Sequence, residues 1–363
     1  MQLLRIRRAT TVGVALAATA LFAAACSSNN TTTGNGGGSS SGGSSNLSGT
    51  LNGSGSTFQL TFQETAISSF KSIQPNMTVN YGGGGSGKGR TDLSSGVVNF
   101  AGSDSPIPSE EASNFSGKTV LYFPLVVGPI TMSYNLSGLS KPLQLSPTVI
   151  ANIFQGKITN WNNSAIAADN PGVKLPSQPI TIAVRSDSSG TTANFSLFLM
   201  NSVPSVWTLG SSSTIKWPGT ARAGNGNGGV ASIVKSTPGA IGYVDFSDAK
   251  GAGLTYASVK NQDGNYVAPS VDSATAAADG ATVASNLTFH AVWAPGAQAY
   301  PITYQSYALV FEKQSSANTV KMLQAYLGYL LGDGQKLLPQ LNYAPLPSSI
   351  DSKAKAQLSK ITS

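Results

Sequence analysis

Residues 180–200 read ITIAVRSDSSGTTANFSLFLM. The apolar and β-branched run 180–185 predicts a strand, and the apolar spacing in 191–200 predicts a helix. Between them lies a turn of Ser, Asp and Gly, residue types that favour turns and helix starts. A strand followed by a short turn and a helix is the repeating unit of α/β proteins, so this stretch predicts that class.

Two other turns in the chain have the same form. Residues 53–58 (GSGSTF) and 82–89 (GGGGSGKG) each lie between a predicted strand and the start of a helix. The alternation of strands and helices predicts an α/β fold with largely parallel pairing. The predicted strands are 77–81, 96–100, 126–134, 180–185 and 241–246. The predicted helices are 57–70 (with Ser56 or Thr57 as N-cap), 147–154, 191–200 and 319–331.

The composition points to an exported protein. Charged residues make up only 10% of the chain, against roughly 25% in an average soluble protein. The net charge of +7 includes Arg5, Arg7 and Arg8 near the N-terminus, without which +4 remains. The charges form no basic stripe interleaved with aromatic residues, so nucleic acid is not an expected partner.

The chain has one cysteine and one histidine. A single cysteine excludes a disulfide framework and cysteine-based zinc sites. A single histidine, His290, excludes multi-histidine metal centres. Catalysis by a Ser-His-Asp triad would need His290 as its base, and we expect this residue to be structural.

The N-terminal segment has the pattern of a secretory signal. Residues 1–25 combine the early arginines with an apolar stretch and small residues, and Cys26 follows in a sequence similar to a bacterial lipobox. We expect lipidation of Cys26, with cleavage beside an incidental cysteine as the alternative. Residues 27–46 are rich in Ser, Gly and Asn and form a predicted flexible tether with an average reach of roughly 25 Å.

The three glycine-containing turns are candidate anion sites. A helix N-terminus presents unpaired N–H groups and a positive dipole end, and glycine lets the backbone approach a ligand closely. Each turn alone is more simply interpreted as a capped helix after a tight turn, and it is the presence of three such turns in one chain that favours an anion site at the ends of sheet strands. Residues 82–89 match the P-loop pattern except that Gly89 replaces the magnesium-binding Ser or Thr, so nucleotide binding of that type is not expected.

Charged residues stand beside these turns. Arg185 could bind an anion while Asp187 steadies it, the alternative being a surface ion pair. Asp104, after the predicted strand 96–100, would repel an anion unless the ligand carried a proton for it to accept. Hydrogen phosphate carries such a proton at neutral pH and sulfate does not, so an unpartnered acceptor would disfavour sulfate.

These residues together resemble the phosphate-binding protein of the bacterial high-affinity phosphate ABC importer, the PstS family. The resemblance runs in the family's order over nearly all of 48–350. The motifs that carry it are G-x-G-x-T-F at 53–58, Y-x-G-x-G-S from Tyr81 to Ser86, N-F-x-x-S-D-x-P at 99–106, G-K-I-x-x-W at 156–161, N-P-G-x-K-L-P-S-Q at 170–178, R-x-D-x-S-G-T at 185–191, P-G-A-I-G-Y-V at 238–244 and P-I-T at 301–303.

The resemblance implies the roles of individual residues. The family's phosphate contacts match Thr57, Phe58, Ser86, Asp104, Arg185, Ser189, Gly190 and Thr191. Phe58 would contribute its backbone N–H, Asp104 would accept the ligand's proton, and Asp187 would hold Arg185. It implies no cofactor, no metal and no catalytic residue. Lys88 and the long loop 224–229 depart from the family pattern.

The resemblance also implies an overall architecture. It predicts a two-lobed periplasmic-binding-protein fold of type II, each lobe a mixed sheet flanked by helices. Lobe I would comprise 47–126 and 300–363, and lobe II 127–299. The protein would be a monomer, lipid-anchored on the extracytoplasmic face of the bacterial cell membrane, delivering inorganic phosphate to ABC permease subunits.

Three alternatives stay open at this point. One is a receptor for another oxyanion such as sulfate or molybdate, which Asp104 argues against. Another is an exported phosphate-ester hydrolase with Ser86 or Ser189 as nucleophile, which lacks a visible base. A third is a phosphate-binding surface protein that works without a permease.

Overall fold

The computed structural model describes residues 47–363, so the predicted signal peptide, Cys26 and the tether lie outside the described residues. The strands are β1 (Gly49–Gly55), β2 (Met77–Gly82), β3 (Phe100–Ser103), β4 (Val120–Tyr134), β5 (Gln144–Leu145), β6 (Thr181–Arg185), β7 (Arg222–Gly224), β8 (Ala240–Asp245), β9 (Thr255–Lys260), β10 (Tyr266–Val267) and β11 (Thr303–Phe311). The α-helices are α1 (Leu60–Ile73), α2 (Ser86–Ser94), α3 (Pro147–Phe154), α4 (Ser164–Asp169), α5 (Gly190–Ser202), α6 (Gly226–Ser236), α7 (Phe246–Gly251), α8 (Val271–Asp279), α9 (Ala317–Leu331) and α10 (Ser348–Gln357).

The 15-residue strand β4 joins two sets of strands. It pairs antiparallel with β11 up to Pro129 and antiparallel with β8 from Ile130 to Tyr134. We call β2, β1, β3 and β11 with the first part of β4 the first half-sheet. The second half-sheet is the rest of β4 with β8, β6, β7 and β9. One strand therefore belongs to both halves.

The pairing is mixed, which confirms the mixed sheets that the family resemblance implies, whereas the largely parallel pairing predicted from the alternation of strands and helices was wrong. Strands β1, β2 and β3 are parallel to one another, as are β6, β7 and β8. The long strands β4 and β11 run antiparallel to their neighbours. Strand order and direction depend on contacts between distant segments, which local periodicity does not report.

The strand predicted over 96–100 begins only at Phe100. Gly96 has a positive φ of 74°, and the Val97 N–H donates to the Asp92 carbonyl at 2.8 Å. These residues therefore close the end of α2 instead of pairing in the sheet. Helix α1 begins at Leu60 rather than 57, because Gln59 and not Ser56 or Thr57 occupies the N-cap position.

The apolar core surrounds β4. After Val120 every residue of this strand is buried, as expected for a strand that helices cover on both faces. Helix α9 buries six apolar side chains in the core: Met322, Leu323, Tyr326, Leu327, Leu330 and Leu331. Within residues 47–363, none of the helices is both long enough and apolar enough to cross a membrane.

Candidate anion site

Four helices begin at one end of the two half-sheets. Helices α1 and α2 follow β1 and β2 of the first half-sheet, and α5 and α6 follow β6 and β7 of the second. The N-cap residues of α1, α2 and α6 make no side-chain capping hydrogen bond. The first two amides of α6 donate instead to Asp187 Oδ1 and Thr57 Oγ1, and the Gly87 amide of α2 donates to the Ser188 carbonyl. The positive dipole ends of these helices favour a negatively charged ligand.

Asp104 lies in the middle of these helix starts. It follows β3 and is 2% exposed. Its Oδ1 accepts hydrogen bonds of 2.5 Å from Ser56 and from Ser306, and its Oδ2 accepts one of 3.2 Å from Ser86. Burial raises the pKa of Asp104, although these three hydroxyls and the Arg185 charge act in the opposite direction.

The backbone of Asp104 is fixed from two sides. Its carbonyl accepts hydrogen bonds from Asn194 Nδ2 at 2.7 Å and from Gln305 Nε2 at 3.3 Å. Asn194 belongs to α5 and Gln305 to β11. These two hydrogen bonds hold the main chain of Asp104 in place. Because Oδ1 already accepts two hydroxyl groups, Oδ2 is the oxygen that can accept a proton from a ligand.

Arg185 ends β6 and enters the site from the second half-sheet. Its Nε donates to Asp187 Oδ1 at 2.9 Å, and its Nη2 donates to Oδ2. Its Nη1 donates to Thr191 Oγ1 at 3.2 Å. The side chains of Arg185 and Asp187 are 1% and 8% exposed, so this is a buried fork and not the surface ion pair that the sequence left open.

The start of α5 closes against the first half-sheet. Ser189 caps the helix by accepting the Thr192 N–H at 3.1 Å, which leaves its O–H free to donate elsewhere. Gly190 follows, and a β-carbon there would lie 2.4 Å from the Ser86 hydroxyl and 2.6 Å from Asp104 Oδ2. Only glycine permits this approach.

Thr57 and Phe58 precede α1. The Phe58 ring is buried with its centroid 4.3 Å from that of Tyr304 and 5.1 Å from that of Tyr343. The Tyr343 hydroxyl donates to the Phe58 carbonyl at 2.7 Å. These contacts fix the peptide that carries the Phe58 N–H. The half-buried Thr57 accepts hydrogen bonds from Asn227 of the second half-sheet.

The structure thus brings together all the residues that the sequence nominated for the site. Contacts between the half-sheets join Gly190 to Ser86 and Asp104, and Asn227 to Thr57. The gathered residues are Thr57, Phe58, Ser86, Asp104, Arg185, Asp187, Ser189, Gly190 and Thr191.

Sequence reasoning missed three side chains here. Ser56, a predicted N-cap candidate, accepts the Gln59 N–H at 3.4 Å and also donates its hydroxyl to Asp104. Ser306 lies within the buried strand β11 and had no local signal. Asn227 lies in the first turn of α6, because the expected long loop 224–229 is in fact the end of β7, Asn225 and the start of α6. The unusual glycine content of this segment was the available clue. All three are fully buried.

Lys88 and His290 have other surroundings. Lys88 is about half exposed and pairs with Asp92 one helical turn away. His290 is exposed, and the hydrogen bonds of Ser86 and Ser189 in the described chain do not involve it. Residues 47–363 contain no group of three or more His, Cys, Asp and Glu side chains placed to hold a metal ion.

Comparison with known proteins decides the family. A family model described as the PBP superfamily domain matches residues 40–333. The phosphate-binding protein PstS 3 of Mycobacterium leprae is 35% identical over 316 residues, which are 84% of this chain and 85% of that protein. The chain belongs to the PstS family of phosphate-binding proteins. The PstS protein of Xylella fastidiosa is 36% identical over 233 residues, 63% of this chain and 64% of its own.

Solved structures show the same fold. A high-affinity periplasmic phosphate-binding protein, solved with phosphate bound, superposes with a TM-score of 0.71 at 22% identity, over 85% of this chain and 94% of that one. A phosphate-binding protein from Stenotrophomonas maltophilia gives 0.68 at 19% identity, over 85% and 93%. With the family model, these likenesses confirm the predicted α/β, two-lobed periplasmic-binding-protein fold.

Proposed function

We propose that this PstS family member captures inorganic phosphate between its two lobes and delivers it to the permease of an ABC importer. The observation that carries the proposal is one buried carboxylate, Asp104, placed among hydrogen-bond donors at four helix starts. Donors alone would suit any oxyanion. A fixed acceptor among them suits an oxyanion that still carries a proton.

Hydrogen bonds would stabilise the charge of the ligand without a metal ion. The positive charge of Arg185 is paired with Asp187, and the N–H groups of its guanidinium that Asp187 and Thr191 do not accept can donate to a phosphate in fork geometry. The starts of the four helices add partial positive charge. Hydroxyl and amide donors complete the coordination. The proposed contacts are Thr57, Phe58, Ser86, Asp104, Arg185, Ser189, Gly190 and Thr191, with Asp187 holding Arg185.

Asp104 would then select phosphate over sulfate. The proton of hydrogen phosphate can be donated to Oδ2, which otherwise accepts only the Ser86 hydroxyl at 3.2 Å. Sulfate has no proton at neutral pH, so two negatively charged oxygens would face each other in a buried site. An unmatched buried group costs about 1–3 kcal/mol, and more when it is charged.

In this proposal lobe I comprises residues 47–126 and 300–363, and lobe II comprises residues 127–299. A hinge joins the two lobes. The change of partners along β4 between Pro129 and Ile130 supports a hinge in this region. Rotation about it would open the cleft and separate Asp104 from Gly190. Closure around the anion would present a defined surface to the permease.

We further propose that the protein is a monomer anchored through a lipid on Cys26 at the extracytoplasmic face of the bacterial membrane. The sequence around Cys26 and the tether 27–46 support this placement. Replacement of Cys26 by Ala should release the protein from the membrane fraction into the medium or periplasm. Retention in the membrane fraction would contradict the anchor and leave the ligand proposal intact.

The central test is calorimetric titration of the purified full chain, unfolded and refolded to remove any ligand carried along. We expect tight one-to-one binding of phosphate and no heat with sulfate. Equal binding of both anions would contradict the role of Asp104, and no binding of phosphate would contradict the proposed ligand.

A further inference from the structure

Asn227 connects the two half-sheets at the candidate site. It lies in the first turn of α6 and is fully buried. Its backbone N–H and its side-chain Nδ2 donate to Thr57 Oγ1 at 3.3 and 3.2 Å. Thr57 belongs to the first half-sheet and Asn227 to the second, so opening of the proposed cleft would separate them.

These two hydrogen bonds determine what the Thr57 hydroxyl can do. A hydroxyl oxygen has two lone pairs and one proton to donate. Because Asn227 occupies both lone pairs with N–H groups, the O–H of Thr57 remains as a donor that points away from Asn227. A hydroxyl in this state can only serve an acceptor, such as the oxygen of an anion.

Asn227 is also tied to the anion-binding elements of its own half-sheet. Nδ2 lies 3.4 Å from Thr191 Oγ1, the same atom that accepts from Arg185. The preceding N–H, that of Gly226, donates to Asp187 Oδ1 at 3.0 Å. Hydrogen bonds therefore connect Asn227 and its neighbour Gly226 to the arginine fork of their own half-sheet.

The glycines among residues 224–229 make this placement possible. Gly226 has φ of +67°, and a β-carbon there would lie 3.2 Å from Thr57 Cγ2. A β-carbon on Gly224 would lie 2.5 Å from the backbone of Gly229. Gly226 thus permits the close approach of α6 to Thr57, and Gly224 permits the end of β7 to pack against the first turn of α6.

We propose that Asn227 is a positioning residue for anion capture, which fixes the Thr57 hydroxyl as a donor to the anion and fastens the closed cleft. The inference rests on the proposed phosphate function. Asn227 would orient the Thr57 hydroxyl and would not contact the ligand itself. Loss of the side chain should raise the phosphate dissociation rate more than it lowers the association rate, because the contact forms after the ligand has entered.

The test is a double-mutant cycle on the purified full chain with phosphate as the probe, measured by calorimetry and stopped-flow. Asn227→Ala should weaken phosphate binding about tenfold, the effect of about one well-placed hydrogen bond. In a Thr57→Val background the same substitution should cost less than about twofold, because the hydroxyl it positions is gone. The matched control is Asn225→Ala, an exposed asparagine two residues away, which should bind as the wild type does.

Asn227→Asp serves as the second variant because it has nearly the same shape. It replaces the Nδ2 donor by an acceptor, so Thr57 would turn its proton toward position 227 and phosphate binding should fall more than with Ala. Binding by Asn227→Asp at wild-type strength, or full additivity in the cycle, would overturn the inference and leave the proposed function standing. Failure of the wild type to bind phosphate would overturn both.

Discussion

Gly190 and Asp104 lie on opposite half-sheets and are in direct contact, since a β-carbon on Gly190 would stand 2.6 Å from both Cβ and Oδ2 of Asp104. The start of α5 therefore packs against the carboxylate with no space for any side chain. This contact sets how far the cleft can close.

Gly190→Ala should prevent full closure. The methyl group would overlap Asp104 and the Ser86 hydroxyl, two groups fixed by buried hydrogen bonds, so we expect phosphate binding to fall by at least about 100-fold. Titration calorimetry measures the effect. The control is Gly219→Ala, where a β-carbon meets no atom within 4 Å. If Gly190→Ala bound phosphate within about threefold of this control, the closed geometry would not be the state that binds phosphate.

Asp104→Asn should change which anion binds. The amide oxygen introduced there can still accept from Ser56 and Ser306, which places the NH₂ group where Oδ2 faced the ligand. Phosphate would then lack an acceptor for its proton, and we expect binding about 10- to 100-fold weaker. Sulfate would gain a donor, so measurable sulfate binding should appear in calorimetry. If Asp104→Asn binds phosphate as before and still ignores sulfate, the carboxylate does not select the ligand.

Arg185→Lys should weaken phosphate binding about 100-fold while the protein stays folded. Lysine keeps the charge, but it cannot hold both Asp187 oxygens, reach Thr191 and present a planar fork to the anion at once. Arg222→Lys on the neighbouring strand β7, where the arginine is exposed, provides a matched control. Calorimetry gives the affinity, and the thermal midpoint of each ligand-free variant reports whether folding is intact. Equal affinities for the two Lys variants would exclude a fork at position 185.

Much of the site was predictable because its residues cluster within short motifs. Arg185, Asp187, Ser189 and Gly190 all lie within one strand–turn–helix unit, so their positions relative to one another follow from local geometry. The observed bounds of β6 and α5 agree with the predicted 180–185 and 191–200 to within two residues at each end. The sequence could therefore nominate a candidate anion site at this turn before any fold was known.

Other parts depend on contacts between distant segments. Ser306 reaches Asp104 across 202 positions of sequence, and it lies in a continuous buried strand where a serine gives no local signal. Asn227 contacts Thr57 of the other half-sheet, so its proposed role depends on a contact that local sequence does not report. The same reason applies to the antiparallel pairing of β4 and β11, which reverses the prediction of a largely parallel sheet.

The last prediction concerns Asp245, which ends β8 opposite Ile130 of β4. Its Oδ1 caps α7 by accepting the Asp248 N–H at 2.9 Å, and its Oδ2 is buried with no partner among residues 47–363. Burial, and next the Asp248 carboxylate, raise the pKa of Asp245 well above 3.8. The folded state therefore holds this proton more tightly than the unfolded state does.

The stabilising contribution of that proton is complete below the unfolded pKa and is lost as pH rises through the folded pKa. Asp245→Asn keeps the capping oxygen and cannot ionise, so its free energy of unfolding should exceed that of the wild type by more than about 1 kcal/mol at about pH 8. At about pH 4 the two proteins should differ little. Denaturant unfolding at both pH values measures this, with Asp279→Asn at the exposed end of α8 as the control. A stability advantage of Asp245→Asn that is as large in acid as at about pH 8 would show that Asp245 does not hold a proton in the folded protein.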